Sequence, residues 1–314
     1  MLSWTPDTNH IGVYIAQAKG WFQEAGLNVN IVGVAQAGAE QAVNSGLADF
    51  ALSNMANVGV NSINGVELTQ VLQVQQKPSA IWCALASNKK IQRPRDLDGT
   101  TFATFGSNED YAVVQRMVQN DGGRGEFDTV TVGTSTFQVL AAGQADFGGF
   151  YSTWEGVQAS LHGPELRCFE EPDYGVPGNA NAIGIITKAS TAAKDPDFVR
   201  AFVQAAQRGY EYAYTHPDEA AKILVEEAPE ANLELDFVQA SMDYIVNNHY
   251  WGDPQAIADG TFTLGTADFE GTQAYYDFLA EAGTYQDSQG KTVAQAPQSK
   301  DLATNKFLKQ EAQK

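Results

Sequence analysis

Four short stretches of this chain hold the residues best suited to chemistry: Trp4 to His10, Ser53-Asn54-Met55, Gly106-Ser107-Asn108 and Phe150 to Glu155. Trp4, Tyr151 and Trp154 offer aromatic faces, and Asn9, Asn54, Ser107 and Asn108 offer neutral hydrogen-bonding groups, joined by Asp7, His10, Met55 and Glu155. None of the four contains lysine or arginine. A sulfonate, nitrate or phosphate would want a fixed positive charge or a guanidinium fork. Rings and mostly neutral amides suit a flat, uncharged or weakly cationic ring. Glu155 would accept from a ring amine or a protonated ring nitrogen. Each residue also has a plainer reading. Trp4 and Trp154 could be core, Asn9 or His10 could cap a helix beginning at Ile11, and Glu155 could only complement the dipole of a helix running to His162. Gly106-Ser107-Asn108 before a helix can hold an anion on backbone N–H groups, but the motif is short.

Other chemistries lack a pattern. No Ser/His/Asp or Cys/His arrangement and no GxxxxGK loop occurs. Cys83 and Cys168 have no metal-ligand spacing, and no metal site is expected. Cys83 sits in the apolar run Ser79 to Leu85 and reads as a small core residue; with Cys168 in a different lobe, a disulfide is not expected. His162, His216 and His249 have no partners at useful spacing and read as surface residues, and Tyr250-Trp251 as packing at a helix end.

An internal echo supplies the elements that must position the four stretches. Gly46-Leu47-Ala48-Asp49-Phe50-Ala51 returns as Gly143-Gln144-Ala145-Asp146-Phe147-Gly148. Each copy follows a helical pattern and enters a strand, with the glycine placed for a positive-φ helix end. Upstream, Leu2-Ser3-Trp4 reads as a strand. Ile11, Tyr14, Ile15, Ala18, Trp21 and Phe22 mark a helix face, and Leu27 to Val32 alternates like a strand. In the second copy these become Thr101 to Thr104, the face Tyr111, Val114, Met117 and Val118, and Thr129 to Val132. Strand–loop–helix–strand–helix–strand, twice, predicts two α/β lobes, each with a mainly parallel sheet flanked by helices. The four stretches then fall beyond the carboxyl ends of strands, where open sheets bind ligands. A joint is expected near Ala86 to Lys90 and a return crossing at Asn181 to Thr187. That gives 1–86 plus 188–314 as a split first lobe, 87–187 as an inserted second lobe, and a two-strand hinge. After Lys188 the apolar spacing is helical, ending in a docked terminal helix at Leu302, Phe307 and Leu308.

Composition narrows the partners. The 314 residues carry a formal net charge of -19, with 43% hydrophobic and 18% charged residues. So acidic a surface excludes a nucleic-acid footprint and disfavours anionic lipid. No apolar stretch reaches the roughly 18 residues of a membrane helix. No signal peptide precedes Leu2; a mature exported protein and a cytoplasmic one would both read this way.

The run Trp4-Thr5-Pro6-Asp7-Thr8-Asn9-His10-Ile11-Gly12-Val13-Tyr14-Ile15-Ala16 carries a family resemblance. Lys19 to Phe22, Gly26 to Val29, Gly46 to Phe50, Tyr151 to Gly156 and Asp173 to Pro177 extend it over most of the chain. It resembles the solute-binding proteins of ABC importers for thiamine-pyrimidine precursors, which share a fold with fungal pyrimidine synthases. The resemblance implies a type II periplasmic-binding-protein fold that closes on an aminopyrimidine such as a formylaminopyrimidine or hydroxymethylpyrimidine. By matching position, Trp4, Asn9, His10, Tyr14, Trp154 and Glu155 would carry the site. A related branch implies riboflavin-like flavins as the alternative. The chain departs from the pattern after Pro177, where Gly178-Asn179-Ala180-Asn181 replaces an aromatic–acidic stretch; Tyr174, Asn179 and Asn181 are therefore further candidates beside the cleft. The resemblance also implies an ABC permease as partner and a periplasmic or extracytoplasmic location, free or lipid-anchored; no cofactor is expected, and a monomer is the expectation for a hinged binder. The fungal synthases use a cysteine-rich motif with iron and a pyridoxal cofactor; two isolated cysteines do not match that motif, so no enzyme activity is expected.

Overall fold

The computed structural model describes residues 1–34, 38–179 and 182–309. Among these residues, eight strands form two sheets. Phe50–Ser53 (β1), Leu68–Gln73 (β2) and Gly184–Lys188 (β8) make a three-stranded sheet in the order β1-β8-β2. Ala80–Leu85 (β3), Thr101–Thr104 (β4), Asp128–Thr131 (β5), Phe147–Tyr151 (β6) and Leu166–Glu170 (β7) make a five-stranded sheet in the order β5-β4-β6-β3-β7. The chain thus builds a first α/β lobe, crosses to a second, and returns.

The sheets are mixed rather than mainly parallel. β4 runs parallel to β5 and β6, but β3 is antiparallel to β6 and β7, and β8 is antiparallel to β1 and β2. The reason is the crossing itself. β3 and β8 each enter a lobe from the other one and so run against the strands built there. The expected joint near Ala86 moves upstream accordingly, because β3 already belongs to the second sheet. Leu2 to Trp4 and Leu27 to Val32 are not regular strands. Single backbone bonds, Leu52 N–H to Met1 O (3.0 Å) and Leu2 N–H to Val32 O (2.9 Å), tie the first segment to β1 and the second to the first without a ladder.

The helices flank these sheets. Ile11–Ala18 (α1), Trp21–Glu24 (α2), Ala39–Ser45 (α3) and Met55–Ile63 (α4) belong to the first half-lobe. Asn108–Asn120 (α5), Thr136–Ala141 (α6) and Glu155–His162 (α7) belong to the second lobe. Ala189–Lys194 (α8), Pro196–Thr215 (α9), Pro217–Glu227 (α10), Leu235–Asn247 (α11), Pro254–Ala258 (α12) and Phe269–Glu281 (α13) return to the first. Both echo glycines end their helices at positive φ, 79° at Gly46 and 69° at Gly143. The expected terminal helix is one turn, Ser299–Leu302 (α14); Phe307 and Leu308 are buried in the turn beyond it.

α1 sets the first ligand-side loop in place. It lies directly on α9, where Gly12 and Gly209 meet so closely that a methyl group on either would overlap the opposing helix. That approach lets the Tyr210 hydroxyl donate to Asn9 O at 2.6 Å. In the second lobe, Phe102 and Phe147 stack at 4.8 Å, under Val113, Val114 and Met117 of α5. The opposite face carries Ile81, Cys83, Leu140 and Phe150. On that face Cys83 and Cys168 sit directly opposite on β3 and β7 and form a disulfide, contrary to expectation. The two cysteines share one sheet, which a boundary at residue 86 concealed.

Candidate functional site

The loops at the strand ends enclose one cavity of about 270 Å³ between the lobes. The Trp4 to His10 loop is held from within. The Asp7 carboxylate accepts the Asn9 N–H at 2.7 Å, while the Asp7 N–H donates to His10 Nδ1 at 3.2 Å, a reciprocal cap. His10 Nδ1 therefore accepts, and Nε2 carries the proton toward Ser3 Oγ at 3.2 Å. Burial pushes His10 down to about 3, so it is neutral and makes no ion pair with Asp7. Asn9 presents its side chain to the cavity, with Oδ1 accepting from Gln75 Nε2 at 2.7 Å and the amide also hydrogen-bonded to the Asp7 carboxyl.

The second lobe supplies the facing wall. Trp154 lines the cavity and packs on Phe237 of α11 with ring centroids 4.3 Å apart. Glu155 opens α7, and its Oε2 accepts the Tyr151 N–H at 3.1 Å. It therefore occupies a helix N-terminus and the cavity wall at once. Ser107 caps α5 by accepting the Glu109 N–H at 3.1 Å and also lines the cavity. Asn54 caps α4 by accepting the Asn57 N–H at 2.8 Å and lines it too.

Of the expected site residues, Trp4, Asp7, Asn9, Asn54, Ser107, Tyr151, Trp154 and Glu155 meet at this cavity. Five others are placed elsewhere. His10 is the cap partner just described. Tyr14 is buried inside the first lobe, which raises its hydroxyl to about 12. Met55 opens α4 and is buried, and its carbonyl accepts from Tyr276. Tyr174 packs edge-on against Phe169 in the second lobe. Asn179 ties the two crossing segments together, its Nδ2 donating to Gln75 O at 3.2 Å. Asn181 and the Asn108 side chain lie outside the described residues.

The cavity is more acidic than the sequence suggested. Glu109, Asp110 and Glu171 line it beside Asp7 and Glu155, and no lysine or arginine does so among the described residues. Burial pushes all five carboxyls up: Asp7, Asp110 and Glu155 to about 7, Glu109 and Glu171 to about 8. Neighbouring charges add to this. Asp110 raises Glu109, Glu109 and Asp110 raise Glu171, and Asp7 raises Glu155. Glu109 and Asp110 directly follow the expected Asn108, but carboxylates in a first helical turn read as dipole partners. Glu171 follows a strand that shows no alternation, and Tyr275, which also lines the cavity, reads as part of a helix's core face.

Several contacts close the lobes around the gap. Trp4 meets Phe105, Tyr275 of α13 donates to Glu109 of α5 at 2.5 Å, and Ser152 shares a 2.7 Å hydrogen bond with Tyr250. His162, expected to be solitary, has its Nε2 3.7 Å from Glu234 beside α11.

The profile described as NMT1/THI5 like matches residues 7–220, which include the whole Asp7–His10 cap and the Tyr151–Glu155 wall. The chain belongs to the NMT1/THI5-like family. Within this family and its relatives, the chain is 29% identical over 238 residues to the formylaminopyrimidine-binding protein of Halalkalibacterium halodurans, covering 75% of this chain and 72% of that one. It is 29% identical over 244 residues to the riboflavin-binding protein RibY of Chloroflexus aurantiacus, covering 74% and 66%. A 4-amino-5-hydroxymethyl-2-methylpyrimidine phosphate synthase of Saccharomyces cerevisiae, THI13, is 23% identical over 263 residues, covering 78% and 75%. Among solved structures, the ligand-binding component of an ABC-type import system from Staphylococcus aureus superposes with TM-score 0.71 at 11% identity, covering 100% and 98%. The alkanesulfonate-binding protein SsuA from Xanthomonas axonopodis pv. citri gives 0.62 at 16%, covering 77% and 82%. These two share the periplasmic-binding-protein fold with this NMT1/THI5-like chain.

Proposed function

We propose that this protein is the extracytoplasmic solute-binding subunit of an ABC importer, closing on a small flat heterocycle of the thiamine-pyrimidine-precursor kind. The observation that carries this reading is the cavity: aromatic faces from both lobes, Trp4 from one and Tyr151 and Trp154 from the other, enclose it beside hydrogen-bonding side chains. Family membership and the likeness to a formylaminopyrimidine-binding protein support it. So does the Cys83–Cys168 disulfide, since such bonds persist in oxidising compartments. Among the described residues no helix is long and apolar enough to cross a membrane, in keeping with delivery to a separate permease.

The mechanism is hinge closure about the crossing segments, which among the described residues are 74–79, 171–179 and 182–183. Ligand bridging the Trp4–Asn9 loop and the Tyr151–Glu155 loop binds the shut state better than the open one and so shifts the population. The volume favours a pyrimidine over the flavin alternative, because about 270 Å³ falls just below the roughly 300–1,000 Å³ of ordinary ligand pockets. An enzymatic role draws less support: both cysteines are bonded to each other, and Lys19 pairs with Glu219 outside the cavity.

Native mass spectrometry of the purified protein, followed by a thermal-shift screen with aminopyrimidines, thiamine and flavins, tests the reading. An aminopyrimidine in excess over its Kd should raise Tm. A screen in which no flat heterocycle raises Tm would sink it.

A further inference from the structure

The charges of the cavity specify more than a flat ring. Glu171 is 2% exposed, with Oε1 accepting from Trp82 Nε1 at 3.2 Å and Oε2 having no partner among the described residues. Asp7 is 6% exposed, and its carboxyl already accepts from the Asn9 and His10 backbone N–H groups and from the Asn9 side chain. Both residues line the cavity, as do Glu109 and Asp110. The ion pairs of the described residues engage none of these acids with a lysine or arginine. A buried carboxyl group needs a proton or a cation. A neutral group could donate to the open Glu171 oxygen but would leave the charge of the ionised acids unbalanced, whereas an ammonium group supplies three donors and the charge. Aromatic faces beside the acids also suit a cation.

We propose that the ligand carries a positive charge: its ring lies against Trp4 and Trp154, and a protonated amine or charged ring nitrogen lies against Glu171, Glu109 and Asp110. This inference rests on the solute-binding reading and narrows it. Asp7 and Glu155 also line the cavity and offer further acceptors for a ring amine.

Titration calorimetry at pH 7.5 with two probes that differ in one group decides it. One is 4-amino-5-aminomethyl-2-methylpyrimidine, an ammonium at this pH; the other is its 5-hydroxymethyl counterpart. The ammonium probe should bind at least tenfold more tightly, and Glu171→Gln should shrink that ratio to below threefold. The parent protein alone already decides the sign, so a variant that fails to fold does not blunt the test. Equal or tighter binding of the hydroxymethyl probe overturns the charge inference while leaving the solute-binding reading intact. Binding of riboflavin but neither pyrimidine does the same. If none of the three binds, the flat-ring reading fails and the inference falls with it.

Discussion

Trp4 and Phe105, from opposite lobes, lie with ring centroids 5.1 Å apart and planes tilted by 51°, bridging the rim of the cavity. Phe105 is 52% exposed, so little of its ring is committed to folding. Phe105→Ala should therefore change unfolding free energy by no more than about 0.5 kcal/mol. Loss of the pair should weaken ligand binding by about 0.5–1.5 kcal/mol, through a shut state that is less favoured. Calorimetry and thermal unfolding of the same variant separate the two effects; a large stability loss with unchanged affinity would contradict this role.

Trp154 and Glu155 are adjacent but should fail differently. Trp154→Ala removes a cavity wall and should cost about 1–3 kcal/mol of binding. Because Trp154 also packs on Phe237, Tm should drop as well. Glu155→Gln keeps the shape and should spare stability while weakening an amine-bearing ring more than a flavin. Parent-like affinity in both variants would show that the ligand sits elsewhere.

Stability should fall as pH rises toward 8. The carboxyls of Asp7, Glu109, Asp110, Glu155 and Glu171 hold their protons up to about 7–8 in the folded chain, against about 4 in the unfolded one. The folded state binds more protons across that interval, so each pH increment favours unfolding. His10, lowered to about 3, acts in the opposite sense below about 6.5, and the Met1 amino group, lowered by burial, opposes the acids just below pH 8, which leaves five acids against one amine between pH 6.5 and 8. Tyr151 and Tyr275 face the same acids but titrate far above this range. Tm of ligand-free protein should be lower at pH 8.5 than at 6.5, and Glu109→Gln should flatten the slope. A Tm that climbs over this interval would contradict the acidic cavity.

The disulfide and the α1–α9 contact are each a single point of failure for the fold. Reducing Cys83–Cys168, or the paired Cys→Ser change, should cost about 2–4 kcal/mol by releasing a closed loop of 85 residues' separation. Gly209→Ala should cost about 1–3 kcal/mol or more by forcing α9 away from Gly12. Urea midpoints measure both, and midpoints equal to the parent's would count against these placements.

The fold was legible where local pattern and tertiary context agree. The Gly46 and Gly143 helix ends, α7 from Glu155 to His162, and β4 at Thr101 to Thr104 all match expectation. Strand direction was not legible, because whether β3 or β8 runs with or against its neighbours depends on which lobe it enters from. The aromatic and amide half of the cavity lining was visible from loop position. Its acidic half was not, since Glu109 and Asp110 look like any solvated first turn, and Glu171 and Tyr275 reach the gap from distant elements. His10 misled for a related reason: an imidazole in a loop suggests a ligand contact, but here it serves the backbone.

Tyr275 and Tyr276 are consecutive, yet their hydroxyls belong to different halves of the molecule: one reaches Glu109, the other the carbonyl of Met55. Parting the halves breaks the first link, spares the second, and rewets Glu109. A rewetted acid gives up its proton at neutral pH. Under the hinge closure proposed above, each round of opening and shutting would therefore exchange protons with the solvent, except when a charged cargo takes the proton's place.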